Sequence, residues 1–219
     1  MFRKLPSIDE VKQILKKNYT PKPVGKEQVP IFEALNRILA EDITASIDVP
    51  PFNRSTVDGY ALRADDTFGA DEYHPVRLEI CGSVNVGEPP TVKVEKEMAA
   101  ESVTGAPLPN GADSVVMAEN TTRKDDTVLI REPVSRGENV MKAGSDIHRG
   151  ETMLKKGQRL SSSEIGVLAA LGIIKVKVYK RPKVAVLSTG AEVVESGKPL
   201  PDGKIYDINA PTLSAAVLE

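Results

Sequence analysis

The stretch Ser161-Ser162-Ser163-Glu164-Ile165-Gly166-Val167-Leu168-Ala169-Ala170-Leu171-Gly172 decides how this chain is organised. Its Ser-x-x-Glu opening is a capping box, in which a hydroxyl accepts a first-turn N–H and the acid three residues on reaches back. Ile165, Leu168, Ala169 and Leu171 then fill one side at helical spacing, and Gly172 closes the segment. Upstream, Val76 to Ile80, Val92 to Glu95, Ser114 to Met117 and Thr127 to Arg131 are short strand-like runs separated by Gly, Pro, Asn and Asp. The helix at 161 therefore marks a return to helical style after a β block.

A second capping box, Ser7-Ile8-Asp9-Glu10, lies near the N-terminus, with Val11, Ile14 and Leu15 behind it and Lys16-Lys17 at the far end of the dipole. Past a linker carrying Pro21 and Pro23, Pro30-Ile31-Phe32-Glu33-Ala34-Leu35 predicts another short helix with proline at an early position. Helix, β block and helix are most simply joined by inserting a β domain into a helical one, with chain crossings near residues 46 and 145. Ile174 to Tyr179 alternates like a half-exposed strand. Lys183-Val184-Ala185-Val186-Leu187 is nearly continuous apolar sequence, which suits a strand covered on both faces of a parallel sheet. Asn209-Ala210-Pro211-Thr212 then starts a helix with Leu213, Val217 and Leu218 on one side. This is the opening of an α/β domain, and Glu219 falls inside its helix, so the chain reads as a fragment whose third domain is cut short. The expected divisions are 1–46 with 145–180, 47–144, and 181–219.

Composition narrows the function classes. A chain of 219 residues corresponds to roughly one or two domains of about 150 residues. Gly 16 and Pro 16 with no Trp disfavour a large helical bundle. Lys+Arg 29 against Asp+Glu 31 leaves a net charge of -2, without the field that draws a protein to nucleic acid or an anionic membrane. Cys81, the single cysteine, can form neither an internal disulfide nor a multi-cysteine zinc site. MFRKLPSIDE lacks the apolar core of a leader, and the longest apolar-rich run, Ile165 to Ile174, is short of the ~18 to 20 residues of a membrane span. A cytoplasmic protein is expected.

The familiar catalytic strings, G-x-x-x-x-G-K-[ST], G-x-S-x-G and H-E-x-x-H, are missing. His74 and His148 read as solvated or core-satisfied histidines, and Cys81 as a small buried hydrophobe. Four segments are harder to dismiss. Pro50 to Leu62 delivers polar groups and Asp58 to a turn before a strand, although Asp58-Gly59 is also ordinary turn chemistry. Thr104 to Asp113 packs two Gly and two Pro around a hydroxyl, either as a connector or as a loop exposing N–H groups to an anion. Gly144-Ser145-Asp146-Ile147 is either a plain turn or a second place where a carboxylate follows glycine. Ser188-Thr189-Gly190-Ala191-Glu192 ends an apolar run, where α/β sheets bind ligands; Glu192 and Asp207 would stand near such a ligand, as magnesium ligand or proton acceptor.

Pro51-Phe52-Asn53-Arg54-Ser55-Thr56-Val57-Asp58-Gly59-Tyr60-Ala61, Val103 to Val116, and Leu187 to Glu192 with Gly203-Lys204-Ile205-Tyr206-Asp207 come in the order and spacing of the molybdopterin molybdenumtransferases. The chain resembles that family, which includes the E domain of gephyrin, along its whole length. The resemblance implies an α+β multidomain, elongated fold: an inserted β-rich domain within a helix/strand linker domain, followed by the start of an α/β molybdopterin-binding domain. It implies a homodimer that inserts molybdate into adenylylated molybdopterin with release of AMP, in a Mg2+-dependent reaction. Asp58, Glu192 and Asp146 match its catalytic positions, and Thr104, Ser188, Thr189, Gly190 and Asp207 its substrate-binding ones, with Asp58 and Thr104 reaching in from the partner subunit. Where the family has Gly-Glu-Asp this chain has Gly144-Ser145-Asp146, and where it has Ser-Thr-Gly-Asp-Glu this chain has Ser188-Thr189-Gly190-Ala191-Glu192. One carboxylate is lost at each, and the exact metal ligands stay open. The family's G-G-x-S-x-G loop would lie past Glu219, which implies that this portion alone is nearly inert. The alternative implied by gephyrin is a dimerisation and interaction scaffold without catalysis.

Overall fold

The computed structural model describes residues 6–219. The reading of the first five residues as free of an apolar leader lies outside the described residues. In chain order the elements are α1 (Ile8–Asn18), β1 (Lys26–Pro30), β2 (Ile43–Thr44), β3 (Arg54–Ser55), β4 (Gly59–Leu62), β5 (Val76–Val84), β6 (Met98–Ser102) and β7 (Ser114–Met117). There follow β8 (Thr121–Lys124), β9 (Thr127–Ile130), β10 (Val140–Met141), β11 (Thr152–Leu154), α2 (Ser162–Ala170), β12 (Lys175–Tyr179), β13 (Val193–Val194), β14 (Ile205–Tyr206) and α3 (Asn209–Leu218). Two compact units emerge: one joins the described residues up to Glu27 with Tyr179–Glu219, and the other is Gln28–Val178.

In the unit Gln28–Val178, six strands form one sheet in the order β7-β4-β6-β5-β9-β8. All neighbours are antiparallel except β5 and β6, which run parallel and need the long connection over residues 85–97 to do so. The register slips between Ile80 and Gly82, so Cys81 is the extra residue of a bulge, half-buried with its Sγ donating to the Ala99 carbonyl. One cluster of apolar side chains takes Leu62, Leu78, Val116, Val128 and Ile130 from this sheet, and a smaller one takes Val84, Val94, Ala100 and Ala106. A third cluster draws Val29, Ile31, Leu39 and Ile43 together with Leu154, Leu160, Leu168, Val176 and Val178. Each fully buried Leu, Ile or Val contributes about 1.5–3 kcal/mol. Helix α2 supplies Leu168 to this cluster and its C-cap supplies Leu171, but Ala169 stays exposed. Its capping box is formed: Glu164 accepts from the Ser161 N–H at 2.8 Å, and Ser161 Oγ accepts from Ser163 at 3.2 Å.

Three expectations are corrected. The segment at Pro30 makes only a 3-10 turn over Ile31–Glu33, because Pro30 ends β1 and Asn36, at φ 63°, turns the chain away. Val92 to Glu95 is not a strand. Val94 donates to the Asn110 carbonyl at 2.8 Å and buries its side chain, but only an isolated bridge, Lys93 to Asn110, forms there. Lys183 to Leu187 is likewise irregular, with Val184 54% and Leu187 87% exposed. A doubly covered strand needs ladder neighbours and a layer on each face, and none of the described residues supplies them.

In the other unit, α1 carries the expected capping box, with Glu10 N–H on Ser7 Oγ at 3.2 Å and Ser7 N–H on the Glu10 carboxylate at 2.6 Å. It buries no residue: Ile8, Val11, Ile14 and Leu15 form an exposed apolar stripe. The parallel pair here is β13 with β14, in register Val193 to Ile205. Among the described residues no helix is long and apolar enough to cross a membrane.

Candidate functional site

The segment 49–58 ties two distant loops to itself by backbone hydrogen bonds. Ser55 N–H donates to the Ala106 carbonyl at 2.9 Å, Gly105 N–H to Ser55 at 2.8 Å, and Leu108 N–H to Asn53 at 2.8 Å. On the other side, Ala143 N–H donates to Asn53 Oδ1 at 2.9 Å, Gly144 N–H to the Pro50 carbonyl at 2.9 Å, and Asp146 N–H to Val49 at 2.9 Å. The Asn53 side chain thus fixes one loop while its carbonyl fixes the other. Sequence reading quoted Asn53 but gave it no role, since an asparagine in a turn-rich run carries no signal of a three-way junction.

This zipper brings Asp58 and Thr104 into contact. Asp58 Oδ1 accepts both the Thr104 N–H, at 2.7 Å, and the Thr104 hydroxyl, at 2.8 Å. The two donations, backbone first, hold the Asp58 carboxyl below its ordinary value of 3.8, against a small opposing effect of desolvation. Both residues are exposed, and Oδ2 of Asp58 has no hydrogen bond among the described residues. Thr104 therefore spends both of its donors on Asp58, orienting a carboxylate whose second oxygen faces outward, instead of offering them to an anion. Behind Asp58, Gly59 leaves no room for a side chain: a Cβ there would lie 1.9 Å from the Val116 carbonyl oxygen.

Asp146 follows a tight turn at Gly144, which is buried at φ 74°; a Cβ on it would lie 2.7 Å from His148 Nδ1 and 3.0 Å from Asp48 Oδ1. The glycine is thus required by both its conformation and its neighbours. The Asp146 carboxylate is exposed and without a hydrogen bond or ion pair among the described residues.

The remaining candidates lie in the other unit. Ile205 N–H donates to the Glu192 carbonyl and Asp207 N–H to Val194, each at 2.9 Å, so β13 and β14 set Glu192 and Asp207 at opposite ends of one short parallel pair. Asp207 Oδ1 accepts the Ala210 N–H at 3.0 Å at the start of α3; that bond first, and then the nearby Ser188 hydroxyl, lower its pKa. Ser188 and Asp207 are therefore brought together. Glu192 folds its carboxylate over Gly190, where a Cβ would come 3.0 Å from Oε1, and it makes no hydrogen bond among the described residues. Thr189 is exposed and likewise unbonded.

Two features escaped the sequence. Ser102, 2% exposed and paired across the sheet with Gly59, carries a buried hydroxyl with no partner among the described residues. A cleft of about 310 Å³ opens between Phe52, Pro107 and the turn Gly87-Glu88-Pro89-Pro90. The second could have been suspected from the Gly-Glu-Pro-Pro run, a stiff turn that displays its acid. Among the described residues no three His, Cys, Asp or Glu gather where they could hold a metal ion.

Residues 6–172 match the family described as "MoeA N-terminal region (domain I and II)". Molybdopterin molybdenumtransferase from Staphylococcus epidermidis is 37% identical over 207 residues, covering 94% of this chain and 49% of that protein. The protein of the same name from Nostoc sp. is 34% identical over 219 residues, covering 99% of this chain and 50% of that one. A crystal structure titled as the molybdopterin biosynthesis MoeA protein from Pyrococcus horikosii superposes with a TM-score of 0.89 at 48% identity, covering 99% of this chain and 55% of the other. The chain thus spans about half the length of the relatives it matches.

Proposed function

This chain belongs to the molybdopterin molybdenumtransferase family, the MoeA proteins, and from that premise we propose that it forms part of an enzyme that inserts molybdate into adenylylated molybdopterin and releases AMP. The observation that carries the reading is the Asp58 carboxylate, held ionised by both donors of Thr104 with its other oxygen presented outward.

Cleaving a phosphoanhydride calls for donors at the phosphates and a carboxylate that holds a water or a developing proton. Asp58 and Asp146 supply carboxylates from the unit Gln28–Val178. Glu192 supplies another from the second unit, where Ser188, Thr189 and the Gly190 N–H are donors and Asp207 lies near Ser188. Mg2+ is part of the proposal. It binds through one or two carboxylates plus substrate phosphates, retaining several waters, so a cage of three protein acids is not what it asks for. Either free carboxylate, that of Glu192 or that of Asp146, suits that role, and the ion would neutralise phosphate charge. Also proposed are a cytoplasmic homodimer, supported by the uncovered apolar stripe of α1, and the division into 1–46 with 145–180, 47–144, and 181–219, supported by the separation of the clusters around Leu168 and around Leu62. As about half of such an enzyme, this chain alone is inactive.

The test is Asp58→Asn in the complete enzyme. The reading expects AMP release and metal insertion to fall about 100-fold or more with an unchanged unfolding transition. Full activity with unaltered metal dependence removes Asp58 from the reaction. If instead the stripe of α1 serves a scaffold of the gephyrin type, activity is absent from the complete protein while dimerisation persists.

A further inference from the structure

A cleft of about 450 Å³ lies wholly in the unit that joins α1 to Tyr179–Glu219, and the reaction described above makes no use of it. It opens between Tyr19, the run Pro21 to Val24, and Lys180 with Pro182, and falls within the usual range of ligand clefts, roughly 300–1,000 Å³. Tyr19 closes α1, its N–H donating to the Leu15 carbonyl at 2.8 Å, and leaves 68% of its surface open. Lys180 N–H donates to the Gly25 carbonyl at 2.9 Å, and the Lys180 stem passes Gly25 with Cδ 3.5 Å from where a Cβ would stand. Pro21, Pro23 and Pro182 fix the backbone of the rim, so little chain freedom is lost when a ligand settles there. The two segments that meet at the cleft, 16–27 and 180–183, carry seven Lys or Arg against the single acid Glu27. None of the seven makes an ion pair with any described residue.

We propose that this cleft docks a short acidic segment of a partner protein. An apolar or aromatic side chain of the segment rests on Tyr19 and Val24, and carboxylates on either side of it are held by Lys22 and Lys180. Charge chooses the class of partner. Exposed ammonium groups act as point charges, and since these are unpaired within the chain, an incoming carboxylate displaces only water from them. The cations also run past the cleft, to Lys16 and Lys17 at the end of α1 and to Lys183, which is more than one small anion can use. Nucleic acid, the other extended anion, fits less well. Single strands are held by stacking successive bases, and Tyr19 is the lone aromatic lining this cleft. The whole chain carries -2, so the residues outside the cluster are acidic in excess and repel a long polyanion. Screening at physiological salt, with a Debye length of about 8 Å, confines a short segment to the field of the cluster.

The test is fluorescence anisotropy of a labelled Glu-Glu-Phe-Glu-Glu peptide with the 219-residue chain. Saturable binding is expected, weakening about threefold or more as salt rises from about 50 to about 200 mM. Gly in place of the peptide's Phe should weaken it about fivefold, and Gln in place of every Glu about tenfold or more. Lys22→Glu combined with Lys180→Glu should weaken it about tenfold or more. Lys124→Glu combined with Lys156→Glu makes the same change of net charge in the other unit and should leave binding within about twofold of the parent. Tyr19→Ala should bring the Phe and Gly peptides to equal affinity. Every substituted side chain is exposed, so the variants should keep the parent's thermal midpoint. Failure of the parent chain to bind, equal weakening by the two charge pairs, a preference for Phe that survives Tyr19→Ala, or tighter binding of hexauridylate than of the acidic peptide overturns the proposal. None of these measurements passes through metal insertion, so their outcome is separate from that of Asp58→Asn.

Discussion

Replacing Gly59 by alanine tests whether the carboxylate at 58 is aimed by the sheet behind it. The added methyl would sit 1.9 Å from the Val116 carbonyl oxygen, 2.9 Å from its carbon and 3.0 Å from the Ala118 nitrogen. All three are backbone atoms of neighbouring chain, so no side chain can swing aside, and β4 has to part from β7 at the Gly59 to Met117 pairing. Forced backbone shifts of this kind cost about 1–3 kcal/mol. Weakening of the bond from Ala118 N–H to the Asp58 carbonyl, 2.9 Å in the parent, adds about 1 kcal/mol. The expected loss is roughly 2–4 kcal/mol, or about 5–15 °C in the thermal midpoint for a unit of this size. Differential scanning calorimetry measures it, with Gly69→Ala as the control: Gly69 is also at positive φ, 86°, but a Cβ there meets nothing within 4 Å. The control should show only the left-handed backbone penalty, about 1–2 kcal/mol. A midpoint for Gly59→Ala no lower than that for Gly69→Ala refutes the steric argument.

Thr104→Val removes the hydroxyl donor to Asp58 but keeps the backbone one, so the Asp58 pKa should rise toward 3.8 without reaching it, as read by carboxyl carbon NMR titration; an unmoved value contradicts the assignment. The sign follows from the lowered folded pKa: the stabilisation by Asp58 is complete above 3.8, is lost as pH falls through the folded value, and should be lost at higher pH in the variant. Ser102→Ala should leave stability unchanged or raise it by up to about 1 kcal/mol in urea denaturation, because it deletes a buried hydroxyl that bonds to none of the described residues; a loss above about 1 kcal/mol would mean the hydroxyl is paired.

Local signals read correctly wherever a segment carried its own partners. Both capping boxes and the strands at 114 and 175 came from spacing alone, since cap and periodicity are properties of four to ten consecutive residues. The failures are segments whose state depends on distant chain. Val92 to Glu95 has strand composition, yet Val92 packs over Gly82, 2.7 Å from a Cβ there, and Gly111 presses on the Val94 carbonyl, so the run is absorbed by side-chain and bridge contacts in place of a ladder. Lys183 to Leu187 has the composition of a covered strand without neighbours to cover it. At the site, Asp58 and Thr104 were both marked by their motifs, but the fact that Thr104 serves Asp58 and not an incoming anion is a matter of 2.7 and 2.8 Å distances over 46 residues of separation. No periodicity encodes that, nor does any composition encode the cleft beside Phe52.

The unit that holds α1 is completed only by residues from Tyr179 onward. A ribosome adding about 5–20 residues per second needs roughly 10–40 s to go from Asn18 to Tyr206. Throughout that interval an 11-residue helix, too short to persist well by itself, trails from the exit tunnel with its greasy side bare, while the whole six-stranded sheet is being made. The stripe stays bare after Tyr206 as well, since α1 buries no residue, so nascent copies are open to chaperone capture and to clipping near their beginning, and the capping-box pair Ser7 and Glu10 is what holds the first turn of the helix.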